Sequence, residues 1–186
     1  HLQDKASQGF KAIMKNKTLV KFFGMAFMLQ LSIAPILSML PLYLKELGAS
    51  NSLIGLSFTV EGISEIPLFL LADRVMGAWG IKPLLVIAIF AYATRLLLYS
   101  VATTPVFILL PQMLHGASWA FFITAAVNYI NEQVPSDLRS TGQTLFTAIF
   151  WGLGASAGNV LGGFMYDRVG PAGMYRLQGP LALCVA

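Results

Sequence analysis

Charge is what this chain has least of. Of 186 residues, 12 are Lys or Arg and 8 are Asp or Glu, 11% in all against 56% hydrophobic residues, with a mean hydropathy of +0.72. A soluble domain carries about a quarter charged residues, and so few charges cannot coat a helical protein of this length, which excludes a soluble globule with a greasy core. Cysteine is nearly missing too. Cys184 alone, in an apolar run, builds neither a disulfide framework nor a cysteine metal site. No HExxH motif and no Ser-His or paired-Asp arrangement is present, so neither an enzyme nor a bound metal or cofactor is expected. The net charge of +4 does not indicate nucleic acid, because the lysines crowd into the opening HLQDKASQGFKAIMKNKTLVK, where they fit a basic segment on the cytoplasmic side of a membrane. The chain opens on His1, without Met or a signal peptide, and is expected to be a piece of a longer protein.

Long apolar runs are abundant. A hydrocarbon core about 30 Å thick takes roughly 20 residues of helix. Runs of that kind lie at about 20–44, 53–72, 84–102, 106–131 and 141–165, and a sixth begins near Tyr175 and reaches Ala186 too early to cross. The breaks KELGASNS, DRVMGAWGIKP, ATTP, NEQVPSDLRSTG and DRVGPAG are short and rich in Gly, Pro, Ser or charge, so consecutive helices are expected to be antiparallel neighbours. With the Lys-rich start inside, Arg74, Lys82 and Arg139 also fall inside, and Lys45, Arg168 and Arg176 outside. Basic residues then number eight inside and three outside, leaving Arg95 within the membrane. The expected organisation is a cytoplasmic basic linker over 1–19 and an all-α transmembrane bundle over 20–186 with its last helix cut short. LFLLADRVMG ends the second run and GGFMYDRVGP the fifth, on opposite sides of the membrane, as in two inverted three-helix repeats. An Asp-Arg pair that merely stops a helix at an interface explains the same residues equally well.

Charges inside such runs are costly, at least about 2.5 kcal/mol near the bilayer centre, so they face a partner or a cavity. VEGISEIP carries Glu61 and Glu65 one helical turn apart, ahead of Pro67. ATRLLLYS carries Arg95 alone, and PQMLHGASWAFF carries His115. At 1.5 Å per residue from the external end of each run, Glu61, Glu65, Arg95 and His115 lie roughly 12, 18, 10 and 14 Å deep, in one layer. A guanidinium keeps its proton and needs a carboxylate, which the adjacent second run supplies twice. One glutamate is then explained as the partner of Arg95 in a structural ion pair. The other is free to take up and release a proton, and the four residues together are candidates for proton coupling. His115 is equally readable as an interhelical hydrogen bond. Gln30, Asn128, Trp119 and Trp151 are candidate solute-binding residues, with Asn159 beside them, although helix-to-helix bonding by the amides and core filling by the indoles account for them as well. Gly154, Gly158 and Gly162, at four-residue spacing, point to close helix packing, and Pro35 and Pro41 interrupt the first run.

The motifs EIPLFLLADR, ATRLLLYS, LHG, YINEQVPSDLRSTGQ and GNVLGGFMYDRVGPAG together resemble the C-terminal half of a major facilitator superfamily transporter, from about Lys17 onward. The likeness is nearest to the proton symporter branch that contains lactose permease and the phenylpropionate and nucleoside permease-like proteins. The resemblance implies one six-helix half of a twelve-helix carrier, with solute held between the halves and released by alternating access. It also implies that Glu65 or Glu61, Arg95 and His115 belong to a proton-coupling network. Two departures stand out. Ser118 occupies the place, one turn after the histidine, where that branch has a carboxylate. ADRVMGAWGIK keeps Asp73 and Arg74 of the cytoplasmic loop motif, which implies a cytoplasmic gate, but has Phe69 for the first glycine and only Lys82 for the paired basic residues. The expected function is a proton-driven symporter of a small organic solute in the cell membrane. Its partners would be solute, protons, an N-terminal six-helix half and the bilayer, without nucleic acid. The alternative is a scaffold or sensor of the same fold that transports nothing.

Overall fold

The computed structural model describes the backbone of residues 2–185 and the side chains of residues 9–185; His1 and Ala186, the outer ends of the expected linker and bundle, lie outside them. The helices are α1 (Leu2–Lys15), α2 (Lys17–Glu46), α3 (Asn51–Trp79), α4 (Ile81–Ser100), α5 (Leu109–Gln112), α6 (His115–Gln133), α7 (Arg139–Thr147) and α8 (Ala155–Leu183). A 3-10 turn, Pro105–Ile108, leads into α5, and a π-helical turn, Ala148–Gly154, joins α7 to α8. Among the described residues, five stretches are long and apolar enough to cross a bilayer: Lys17–Glu46, Asn51–Trp79, Ile81–Ser100, Pro105–Gln133 and Ser136–Leu183. The last is a hairpin. Gly170, at φ 71° and ψ 171°, breaks α8 ahead of Pro171, and Gln178 comes back against Gly162. The expected fifth crossing therefore runs through α7, the π-helical turn and α8 as far as 169, and the start of the sixth is 171–183. Only glycine adopts that φ without strain.

Local chemistry sets the boundaries. Asn16 separates α1 from α2 by accepting from the Thr18 and Leu19 amides, and its own amide donates to the Gln133 carbonyl at 3.0 Å. The linker expected over 1–19 is thus mostly a helix. Gly9 and Ile13, one turn apart, make its contact: Gly9 faces Leu138 and Thr141, and Ile13 is buried. Ser50 caps α3 through the Leu53 amide. Gly80, at φ 90°, reverses the chain between α3 and α4 in a single residue.

α4 is the central post and packs on both α6 and α8; α2 packs along α8, and α3 along α6. The short α2–α3 connection does not make those two helices neighbours, contrary to the expectation from loop length, because α2 lies instead on the glycine face of α8. Only Ser57 and Ala72 of α3 are buried, so this helix stands on the rim. Crossings alternate in direction. Thr18, Asp73, Lys82 and Gln133 share a cleft at one end. At the other, Tyr43 donates to the carbonyls of Tyr99 and Ala102 (3.2 and 2.9 Å), and Tyr166 donates to Glu46 at 2.6 Å.

The Gly154, Gly158 and Gly162 face packs on α2 as the spacing implied. A Cβ on Gly158 would stand 2.7 Å from the Leu31 carbonyl oxygen and 2.9 Å from the Ala34 Cβ, and one on Gly162 would collide with Pro35. Gly158→Ala is therefore expected to lower stability by about 1–3 kcal/mol through overpacking. Gly24→Ala, where nothing lies within 4 Å, is expected to be neutral or to gain about 0.4–1 kcal/mol. Thermal unfolding of the full-length protein in detergent measures both.

Candidate functional site

The site is built around Arg95, on α4 and 1% exposed. Its Nη1 donates to Ser118 Oγ at 3.0 Å and reaches His115 Nδ1 at 2.7 Å. Its Nη2 donates to Gln112 Oε1 at 2.8 Å, Tyr99 OH at 3.1 Å and Glu61 Oε1 at 3.3 Å. Tyr99, one turn along α4, in turn donates to Gln112 Oε1 at 2.6 Å. A planar cation with five N–H donors is thus surrounded by acceptors from three crossings.

The fourth crossing delivers two of them through a local tightening. Pro111 has no N–H to give, and the Leu114 amide bonds back only three residues, to the Pro111 carbonyl at 3.1 Å. Gln112 ends α5 and His115 begins α6 across this point. The Gly116 amide, an orphan donor of the first turn of α6, is taken by Ser64 Oγ at 3.0 Å, and that hydroxyl donates to the Glu61 carbonyl at 2.7 Å. A Cβ on Gly116 would collide with the Ser64 carbonyl. The absence of a side chain there lets α3 approach until its two glutamates straddle the imidazole.

Glu61 lies 2.8 Å from His115 Nδ1 and 3.3 Å from Arg95, and its second oxygen accepts from Gln112 Nε2 at 3.1 Å. Glu65 lies 2.7 Å from His115 Nε2. The four residues expected in one layer are therefore in contact, with Glu61 as the partner of the arginine and Glu65 reaching only the histidine among the other three. Ser118 is not idle, since it accepts from Arg95. Sequence reasoning missed Gln112 and Tyr99; their spacing, three residues before His115 and four after Arg95, was the available signal.

This cluster forms one wall of a cavity of about 520 Å³. Apolar and aromatic walls come from Phe58, Tyr92, Trp119 and Trp151, the two indoles meeting edge to face at 5.4 Å. Gln30 lines the same space, as do Ser38 and Asn159, which are hydrogen bonded at 2.6 Å. Asn128 does not join them. It lies in the cleft at the Lys82 end of the bundle and donates to the Thr124 carbonyl of its own helix. Asp73 lines that second cleft, of about 600 Å³, and Arg74 is exposed beside it.

Residues 1–177 match the family model described as the MFS_1 like family. The chain is 30% identical over 179 residues to the uncharacterized transporter YwbF of Bacillus subtilis, covering 95% of this chain and 44% of that one. Maltose permease of Geobacillus stearothermophilus is 33% identical over 127 residues, covering 68% of this chain and 32% of its own. The putative nucleoside transporter YegT of Escherichia coli is 27% identical over 174 residues, 91% of this chain and 39% of that protein. A crystal structure of a mutant of the nucleoside transporter NupG superposes with a TM-score of 0.82 at 20% identity, over 94% of this chain and 48% of that one. The chain thus spans less than half the length of these relatives, which are transporters and permeases rather than enzymes. The apolar crossings, their order and the family match together show a multi-pass protein of the cell membrane that belongs to the MFS_1-like transporters of the major facilitator superfamily.

Proposed function

We propose that this chain supplies one half of a proton-coupled symporter for a small, neutral, hydroxyl-rich solute with a flat face, a nucleoside or a sugar. The observation that carries the reading is the cavity wall, where two carboxylates bracket one imidazole above a buried guanidinium. A register-fixing ion pair needs only one carboxylate. The second, Glu65, is 27% exposed and faces the cavity, where it can accept from a solute hydroxyl. Gln30, Ser38 and Asn159 offer further polar contacts, and Trp119 and Trp151 offer the faces on which a base or a sugar ring stacks.

Electrostatics argues against an anionic solute. Both terminal nitrogens of Arg95 already have acceptors and its side chain is buried, so among the described residues the cavity presents no exposed cation to receive a carboxylate. With the imidazole neutral, the cluster carries one net negative charge. The names of the maltose permease, YegT and NupG relatives point the same way. Alternating access then follows from a second six-helix half closing over the open side of this cavity, with Asp73 and Arg74 as part of a cytoplasmic latch.

In vesicles holding the full-length transporter, a nucleoside or sugar gradient is expected to alkalinise the outer medium, and the doubly neutral Glu61→Gln/Glu65→Gln variant is expected to abolish this. Solute-driven proton movement that persists in that variant rejects the reading. Trp151→Ala is expected to weaken solute binding about 2–10-fold, from the loss of one aromatic contact, as measured by titration calorimetry. Arg95→Ala alone strands Glu61 in the membrane and should lower stability by about 3–5 kcal/mol. Adding Glu61→Gln should restore much of the thermal stability without restoring proton movement.

A further inference from the structure

Two contacts in the cluster exclude one another. His115 Nδ1 lies 2.7 Å from Arg95 Nη1, a donor, and 2.8 Å from Glu61 Oε1, an acceptor. A ring nitrogen holds either a lone pair or a proton. With the lone pair, Nδ1 accepts from Arg95 and has nothing to give Glu61. With the proton, it donates to Glu61 and turns an N–H toward the N–H of Arg95. Beside an ionised Glu65, 2.7 Å away, Nε2 carries a proton in both cases and donates to it. Only the partner of Nδ1 depends on the protonation state.

Each abandoned group has a second partner in place. When Nδ1 turns to Glu61, Arg95 Nη1 keeps Ser118 Oγ at 3.0 Å. When Nδ1 turns to Arg95, Glu61 keeps Arg95 Nη2 and Gln112 Nε2. Each state therefore leaves both groups that Nδ1 chooses between with a hydrogen-bond partner, which one fixed ion pair does not require. The charges around the ring are few: Glu61 and Glu65 from α3 and Arg95 from α4, with the phenols of Tyr92 and Tyr99 on α4 near the guanidinium. α2, α8 and the π-helical turn add Gln30, Ser38, Asn159 and Trp151, none of which titrates.

We propose that His115, rather than either glutamate, holds the coupled proton, and that Nδ1 is a two-position switch between Arg95 and Glu61; this rests on the proton-symport reading above. Uptake forms an N–H bond at Nδ1 with a proton from cavity water and breaks the hydrogen bond from Arg95. The cluster passes from one net negative charge to none, and release returns the same proton to water. His115 is 14% exposed, and it lines the cavity through which that water reaches it. Neutralising the cluster on loading removes a net charge from the membrane interior, where uncompensated charge is costly.

The test uses the full-length transporter in vesicles and, in parallel, infrared difference spectra between acid and alkaline media with isotope-labelled histidine. His115→Gln is expected to lower solute-driven proton movement by about a hundredfold or more. Glu65→Gln is expected to retain measurable solute-driven proton movement. The spectra should show imidazole bands that move with the label and disappear in His115→Gln. Proton movement surviving in His115→Gln overturns the assignment, as does a carboxylic-acid band that vanishes in Glu61→Gln or Glu65→Gln. If His115→Gln fails to fold, His115→Asn takes its place in both measurements. A transporter whose solute moves without protons even when unsubstituted overturns symport itself, a result distinct from proton movement that does not depend on His115.

Discussion

A guanidinium cannot shed its proton, and Arg95 is buried at the centre of a membrane bundle. The arrangement of three crossings follows from that constraint. Leaving such a cation unpaired in hydrocarbon would cost more than any single packing contact supplies. Its acceptors have to arrive from several directions: Tyr99 from its own helix, Gln112, His115 and Ser118 from the fourth crossing, and Glu61 from α3. The stretch from Gln112 to Ser118 is placed by this demand as much as by helix propensity. α3, which buries almost nothing else, is tied to the bundle through Glu61, Ser64 and Glu65.

Glycine makes the geometry reachable. Apolar side chains gain little from leaving lipid for one another, so helices in a membrane associate through close packing and hydrogen bonds. Gly116 admits the α3 backbone and thereby sets the distance from Glu61 and Glu65 to the imidazole. Gly154, Gly158 and Gly162 admit α2, at the turn where Gln30 and Trp151 enter the cavity. The cavity is what remains between two tight helix pairs, α3 with α6 and α2 with α8. Its polar end sits where the first pair meets Arg95.

The loud features were legible in the sequence for a physical reason. A charge inside an apolar run is rare, and its depth follows from counting residues, so Glu61, Glu65, Arg95 and His115 were brought to one layer without coordinates. Uncharged polar residues carry no such signal. Gln112 and Tyr99 read as ordinary members of their helices, although they complete the shell of the guanidinium. Asn128 was grouped with the solute-binding candidates on residue type alone. It lies only five residues before the end of α6, too near the surface to reach the cavity. Loop length misled for α2 and α3 because a short connection fixes where helices end, not whether their sides pack. The segment over 1–19 read as a linker because its lysines outweigh Gly9 and Ile13, two of the residues that dock it.

The exchange of a carboxylate for Ser118 alters more than the inventory of charges. With an acid on α6 one turn after His115, a proton would pass between neighbours on a single helix. Here the hydroxyl at that position is taken by Arg95, and the acids flanking the ring stand on α3. On the proposed reading, a proton at His115 therefore strengthens a contact across the α3–α6 interface and releases one across the α4–α6 interface. α4 belongs to the core of the bundle and α3 to its rim, so on that reading the same proton shifts α6 from the central partner toward the rim partner. On that reading, VEGISEIP, with its two glutamates on the rim helix, is where a protonation event becomes a change of helix contacts.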